Sequence, residues 1–188
     1  MVLLLYAKGY TGRLNEEIKG ITRLEKLMYL LLKEGGFEEV LSKEIEFEAY
    51  DFGPYSAEVY NLKESLTMME IISTREETIS NIKDIIDLYF AEAEGQIEEN
   101  TEKMEVYSLM ENRGFKIAEK LLQERVRADE FKRIEHIKTK YNGLNLDDLL
   151  RYVYQTYPES AKKSRIIEKV FGFGKRPDLK PFEREKET

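Results

Sequence analysis

Residues 21–31 carry apolar side chains at Ile21, Leu24, Leu27, Met28 and Leu31, the three- and four-residue spacing of one face of an α-helix. Thr22 and Glu25 stand three apart at its start, the pattern of a capping box, and Gly35-Gly36 supply a stop. The spacing predicts a helix over 22–34, with Arg23, Lys26 and Lys33 off the apolar stripe. A helix this apolar must be covered, and the rest of the chain is constrained by what can cover it.

Much of that remainder also reads as helix. Residues 1–9 are a short apolar helix broken at Tyr10-Thr11-Gly12, and 13–20 hold one helical turn. Helices are predicted over 55–67, 76–93, 112–125, 127–141, 146–157 and 160–170, each from apolar residues at helical spacing. Strands are predicted at 44–50, where Glu44 to Tyr50 alternate in polarity, and at 68–72 and 104–109. Asp51-Phe52-Gly53-Pro54 is a turn, with Pro54 suited to the first position of the next helix. Residues 96–103 are an acidic loop. No internal repeat or low-complexity block is present.

Composition narrows the chemistry. The chain of 188 residues has no Cys, no Trp and a single His, so thiol nucleophiles, disulfides, Cys-ligated metals and two-His metal sites are excluded. His136 sits on a helix among charged neighbours and reads as a surface or packed residue. Asp147-Asp148 suit a helix N-terminus. Gly172-x-Gly174 lacks the rest of a dinucleotide fingerprint. No catalytic residue, metal site or cofactor is expected. The opening MVLLLYAKGY is too short to span a bilayer and lacks the flanks of a signal peptide, so the expectation is a cytoplasmic protein without membrane association. Abundant Glu and Lys with scarce Gln point to a thermophilic source.

Charge is unevenly placed. The net charge is −7, and residues 1–90 carry all of it, with 10 Lys and Arg against 17 Asp and Glu. Residues 113–140 are basic, from Arg113 to Lys140, and are interrupted by carboxylates at pairing distance along a helix. Glu92 to Glu102 are acidic and read as a solvated loop, or as a surface for a basic partner such as a toxin.

The order helix, helix, strand, helix, strand, strand is that of a winged helix-turn-helix domain. The expected fold is therefore mainly α with a small β-hairpin. Residues 1–125 form a winged-helix-like domain with a helical insertion in the wing, 126–170 a helical extension, and 171–188 a flexible tail. Two stretches carry family resemblance. Glu105-Val106-Tyr107-Ser108-Leu109, leading through Arg113-Gly114 into a helix, is similar to the second wing strand of winged-helix regulators, although Met110 stands where those carry Thr. Thr22 to Leu31, followed by Phe47, Tyr50-Asp51-Phe52-Gly53-Pro54 and Glu58-Val59-Tyr60, resembles the Panacea (antitoxin-like) family over residues 20–70. The chain is also similar to archaeal winged-helix proteins with a Thr-Arg-Leu helix and a late Tyr-Pro segment, here Tyr157-Pro158. The resemblance implies a helix-rich, non-enzymatic protein linked to toxin neutralisation.

Two functions follow as expectations. One is a regulator binding double-stranded DNA, as a homodimer through its C-terminal helices. Its phosphate contacts would come from Arg13, Lys19, Thr22, Arg23, Lys26 and Lys33, because the helix at 55–67 offers only Ser56, Glu58, Asn61, Lys63 and Glu64. The other is an antitoxin-like or adaptor module that binds a protein. Tyr152, Tyr154 and Tyr157 are candidate partner contacts, with Tyr154 and Tyr157 on one helical face and Tyr152 on another. Burial of 22–34 on most sides would favour the protein-binding reading.

Overall fold

A computed structural model describes residues 1–78 and 103–171. The described chain is mainly helical with two small antiparallel sheets. Helix α1 (Val2–Tyr6) leads through a turn to strand β1 (Ile18–Lys19), then to α2 (Ile21–Glu34) and a short α3 (Glu38–Leu41). A hairpin of β2 (Glu48–Tyr50) and β3 (Gly53–Tyr55) precedes α4 (Ala57–Met68). Strands β4 (Ile72–Thr78) and β5 (Lys103–Leu109) follow, then α5 (Arg113–Glu124), α6 (Ala128–Tyr141) and α7 (Leu146–Thr156). A 3-10 turn (Pro158–Ala161) and α8 (Ile167–Phe171) complete it. No helix among the described residues is long and apolar enough to cross a membrane.

Helix α2 is the centre of the molecule. Eleven of its fourteen residues are buried, so it is enclosed on nearly every side instead of presenting one stripe. It packs against α3, α6, α7, β1 and β3. Its start departs from the capping-box expectation. The helix begins at Ile21 with Gly20 as N-cap, at φ 82°, and no side chain caps it. Thr22 is thereby drawn into the first turn and buried, and Glu25 turns to the buried Lys26, 3.7 Å away.

The three-stranded sheet has the order β1-β5-β4. Ile18 pairs with Tyr107 and Lys19 with Val106, and the β4–β5 ladder runs from Ile72 opposite Leu109 to Thr78 opposite Lys103. Residues 13–20, expected as a helical turn, thus end in a strand, because Ile18 gains a partner nearly ninety positions away that local periodicity cannot reveal. The strand expected at 68–72 begins only at Ile72. Met68 and Met69 still belong to the end of α4, and Glu70 turns the chain with φ 56° while the Ile71 amide donates to Leu66 O at 2.9 Å. Of the helix expected over 76–93, Glu76 to Thr78 lie in β4, and the remainder is outside the described residues, as are most of the 96–103 loop and all but the first residue of the tail from 171.

The Gly-Pro turn also resolves differently. Pro54 lies in β3 opposite Ala49, and Ser56 is the N-cap of α4, accepting from the Val59 amide at 3.4 Å. The 160–170 helix is split into the 3-10 turn and α8. One apolar cluster joins α1, β1, α2, β5, α6, α7 and α8, so residues 126–170 share the core of residues 1–125.

Candidate functional site

The six residues expected to meet DNA do not form one exposed face. Lys26 has a relative exposure of 1%, and its ammonium donates to Pro54 O at 2.9 Å. Burial pulls its pKa down, and Glu25 offsets part of that. It holds the β2–β3 hairpin onto α2 and cannot reach a phosphate. Thr22 is also buried. Lys33 is at the surface, paired with Glu38 at 3.2 Å at the far end of α2.

Arg13, Lys19 and Arg23 do converge. They line a cleft of about 600 Å³ together with Tyr10, Asn15, Glu16, Glu17 and Asn142. Each has a structural partner, however. Arg23 donates to the carbonyls of Asn142 and Leu144, at 3.1 and 2.6 Å, and so satisfies the C-terminal end of α6. Lys19 pairs with Glu77 at 2.8 Å, and Glu17 with Arg75 at 2.7 Å. Arg13 donates to the Thr11 hydroxyl at 3.3 Å and is exposed. Burial would raise the Glu16 pKa, but hydrogen bonds from Thr11, Asn142 and the Tyr10 amide hold it below the usual range. The Asn142 amide donates to Glu16 and to Glu17 O, while its buried Oδ1 has no partner.

The second expected reading surface, α4, loses its cation as well. Ser56 is buried as the N-cap. Lys63 is 4% exposed, 5.0 Å from the centre of the Tyr60 ring and 5.8 Å from that of Tyr107. Its ammonium pairs with Glu64 and lies 3.7 Å from Glu105. Of the five candidates there, Glu58, Asn61 and Glu64 remain exposed, and the two carboxylates repel phosphate.

The tyrosines sort differently from the helical-face expectation. Tyr154 is fully buried and accepts from the Ser164 hydroxyl at 3.0 Å. Tyr152 and Tyr157 meet instead, because both hydroxyls donate to the Glu34 carboxylate, at 2.7 and 3.1 Å. Tyr157 follows the end of α7 with φ −128° and ψ 67°, so the 100° step between successive helical residues no longer places it. Tyr141 donates to the other Glu34 oxygen, and Lys140 lies 3.8 Å from that oxygen. Three phenols and an ammonium thus hold a carboxylate at the C-terminal end of α2, where the helix dipole disfavours it. Burial raises the pKa of all three phenols, and the Glu34 charge adds to this. The cluster ties α2 to α6 and α7, with its polar atoms turned inward.

The basic run is largely a helical surface, but not throughout. Arg133 stacks over the Phe37 ring at 5.0 Å, and Lys138 is fully buried. The Lys138 ammonium donates to Leu5 O at 2.6 Å and Ala7 O at 2.9 Å, closing the end of α1. Lys138 falls on the stripe of Ile134, Ile137 and Tyr141, a position from which burial was readable. Glu34 gave no such signal, since its partners come from distant helices. His136 is exposed on α6. Among the described residues, no group of three or more acidic or histidine side chains is placed to hold a metal ion. No protein-family model, curated protein or solved structure matches the chain.

Proposed function

We propose that this chain is a non-enzymatic winged-helix-like module that acts by binding another protein, in the manner of an antitoxin or adaptor. The winged-helix reading is supported by the order α1, β1, α2, α4, β4, β5 and by the strand order β1-β5-β4, with the α3 and β2–β3 segment inserted before α4. The Panacea resemblance points the same way and includes the Gly53-Pro54 and Val59-Tyr60 positions.

One observation carries the choice of partner. Of the lysines that a DNA reader would present on α2 and α4, Lys26 and Lys63 are buried, Lys33 is paired with Glu38 at the far end of α2, and α4 is left with an acidic face. Phosphate neutralisation needs several accessible cations in one footprint, and its strength grows as salt is lowered. The expected result is that random duplex DNA shows no saturable binding by fluorescence anisotropy even at low salt. Binding with log affinity falling linearly in log salt would overturn this reading and restore the DNA-binding regulator.

A further inference from the structure

The proposal that the module binds a protein leaves open where, and one surface stands out. Four large apolar side chains are exposed around the end of α4: Met68 at 81%, Met69 at 54%, Met110 at 41% and Leu62 at 37%. Leu62 and Met69 are seven apart and share a face of the helix. Met110 is held beside the following turn by its amide, which donates to Ile71 O at 3.0 Å. An unbranched thioether side chain adapts to varied partners, and exposed methionines are a recurrent feature of docking surfaces.

The charges around this surface have one prevailing sign. Glu64, Glu70 and Glu111 are exposed and lie within four residues of one of these methionines, against Arg113 at the start of α5. Lys63, which would have broken the acidic face of α4, is buried against Tyr60 and Tyr107. We infer that this methionine surface docks a basic amphipathic helix of a partner protein, its apolar face on Met68, Met69 and Met110 and its cations on the surrounding carboxylates. Segment 79–102, with seven carboxylates and one lysine, does not carry the charge that this surface would attract.

This inference rests on the protein-binding reading, and its test is separate from the DNA titration. The full chain carries six methionines, and methyl labelling makes each a reporter. The probe is a synthetic peptide with Leu at helical spacing and Lys elsewhere; the control replaces Lys with Glu. The expected result is saturable shifts of the Met68, Met69 and Met110 methyl signals with the Lys peptide, none at the buried Met28, and none with the Glu peptide. Changing Met68 and Met69 to Ser is expected to weaken binding at least tenfold while the Met28 signal stays native. Four outcomes overturn the inference. These are no shift, equal response to both peptides, shifts that depend on protein concentration without peptide, and protection of Met68 and Met69 from a soluble paramagnet. If the peptide fails while DNA also fails to bind, the surface is wrong and the protein-binding reading stands.

Discussion

Replacing Lys138 with Ala is expected to destabilise the fold by about 3–5 kcal/mol, measured by urea unfolding at neutral pH. The substitution deletes two charge-assisted hydrogen bonds, to Leu5 O and Ala7 O, in a site with no solvent access. Those carbonyls end α1 and would be left without donors, each at about 1–3 kcal/mol. Lys138→Met keeps most of the volume and removes the buried charge, so its loss is expected to be smaller, about 1–3 kcal/mol. Equal stability of the Ala variant and the parent would show that α1 is not held by this residue.

The same lysine sets a pH dependence. Burial pulls its pKa down from 10.5 to about 7, with the Glu16 charge offsetting part of the fall. Between those values the unfolded chain binds the proton and the folded chain does not. Stability therefore rises with pH across that window, by up to about 1.4 kcal/mol per pH unit. Below pH 7 both states are protonated and the cost of burying the charge is present in full. Above pH 10 the buried tyrosines, whose pKa values are raised, act in the opposite direction, so the comparison belongs between pH 7 and 9. The parent is expected to gain stability there and Lys138→Met to gain far less. Parallel slopes would sink the assignment.

The second large effect is expected at Gly53. It closes the β2–β3 hairpin at φ 92°, a conformation that L side chains rarely adopt. A Cβ there would lie 2.6 Å from the ring of Tyr154, which is fully buried and cannot move aside. Gly53→Ala is expected to cost about 2–4 kcal/mol, combining backbone strain with overpacking. Gly12→Ala is the control: its φ is 75°, yet a Cβ there meets nothing within 4 Å. It should cost about 1 kcal/mol, the strain alone. Similar losses at both positions would show that the Tyr154 contact contributes little.

These residues also show how far the sequence could be read. The helices at 22–34, 112–125, 127–141 and 146–157 were legible because each carries a long run of apolar residues at one period, and their observed bounds differ by a residue or two. The strand at 104–109 was legible from its short apolar run, but its expected partner at 68–72 shares only Ile72 with the observed β4. Long-range partners were not legible. Ile18 becomes a strand only because Tyr107 lies opposite, and Pro54 lies in β3 opposite Ala49 with its carbonyl taken by Lys26. The largest misreading concerned cations, since lysines were assigned to solvent by residue type. Lys26, Lys63 and Lys138 each place a long stem in the core and satisfy their ammonium with carbonyls or carboxylates. Of the six candidate DNA contacts, only Arg13, Lys19 and Arg23 line one cleft, and these sit close together in sequence.

The Lys138 contact with Leu5 spans 133 positions, and that distance has a meaning during synthesis. A ribosome extends the chain at about 5–20 residues per second, so α1 waits on the order of ten seconds for the residue that closes it. Over that interval Leu3, Leu4 and Leu5 have none of the neighbours that α5 and α6 later provide. Until α5 and α6 emerge, the nascent chain carries a leucine segment without those neighbours, and that segment is where a chaperone would first find it.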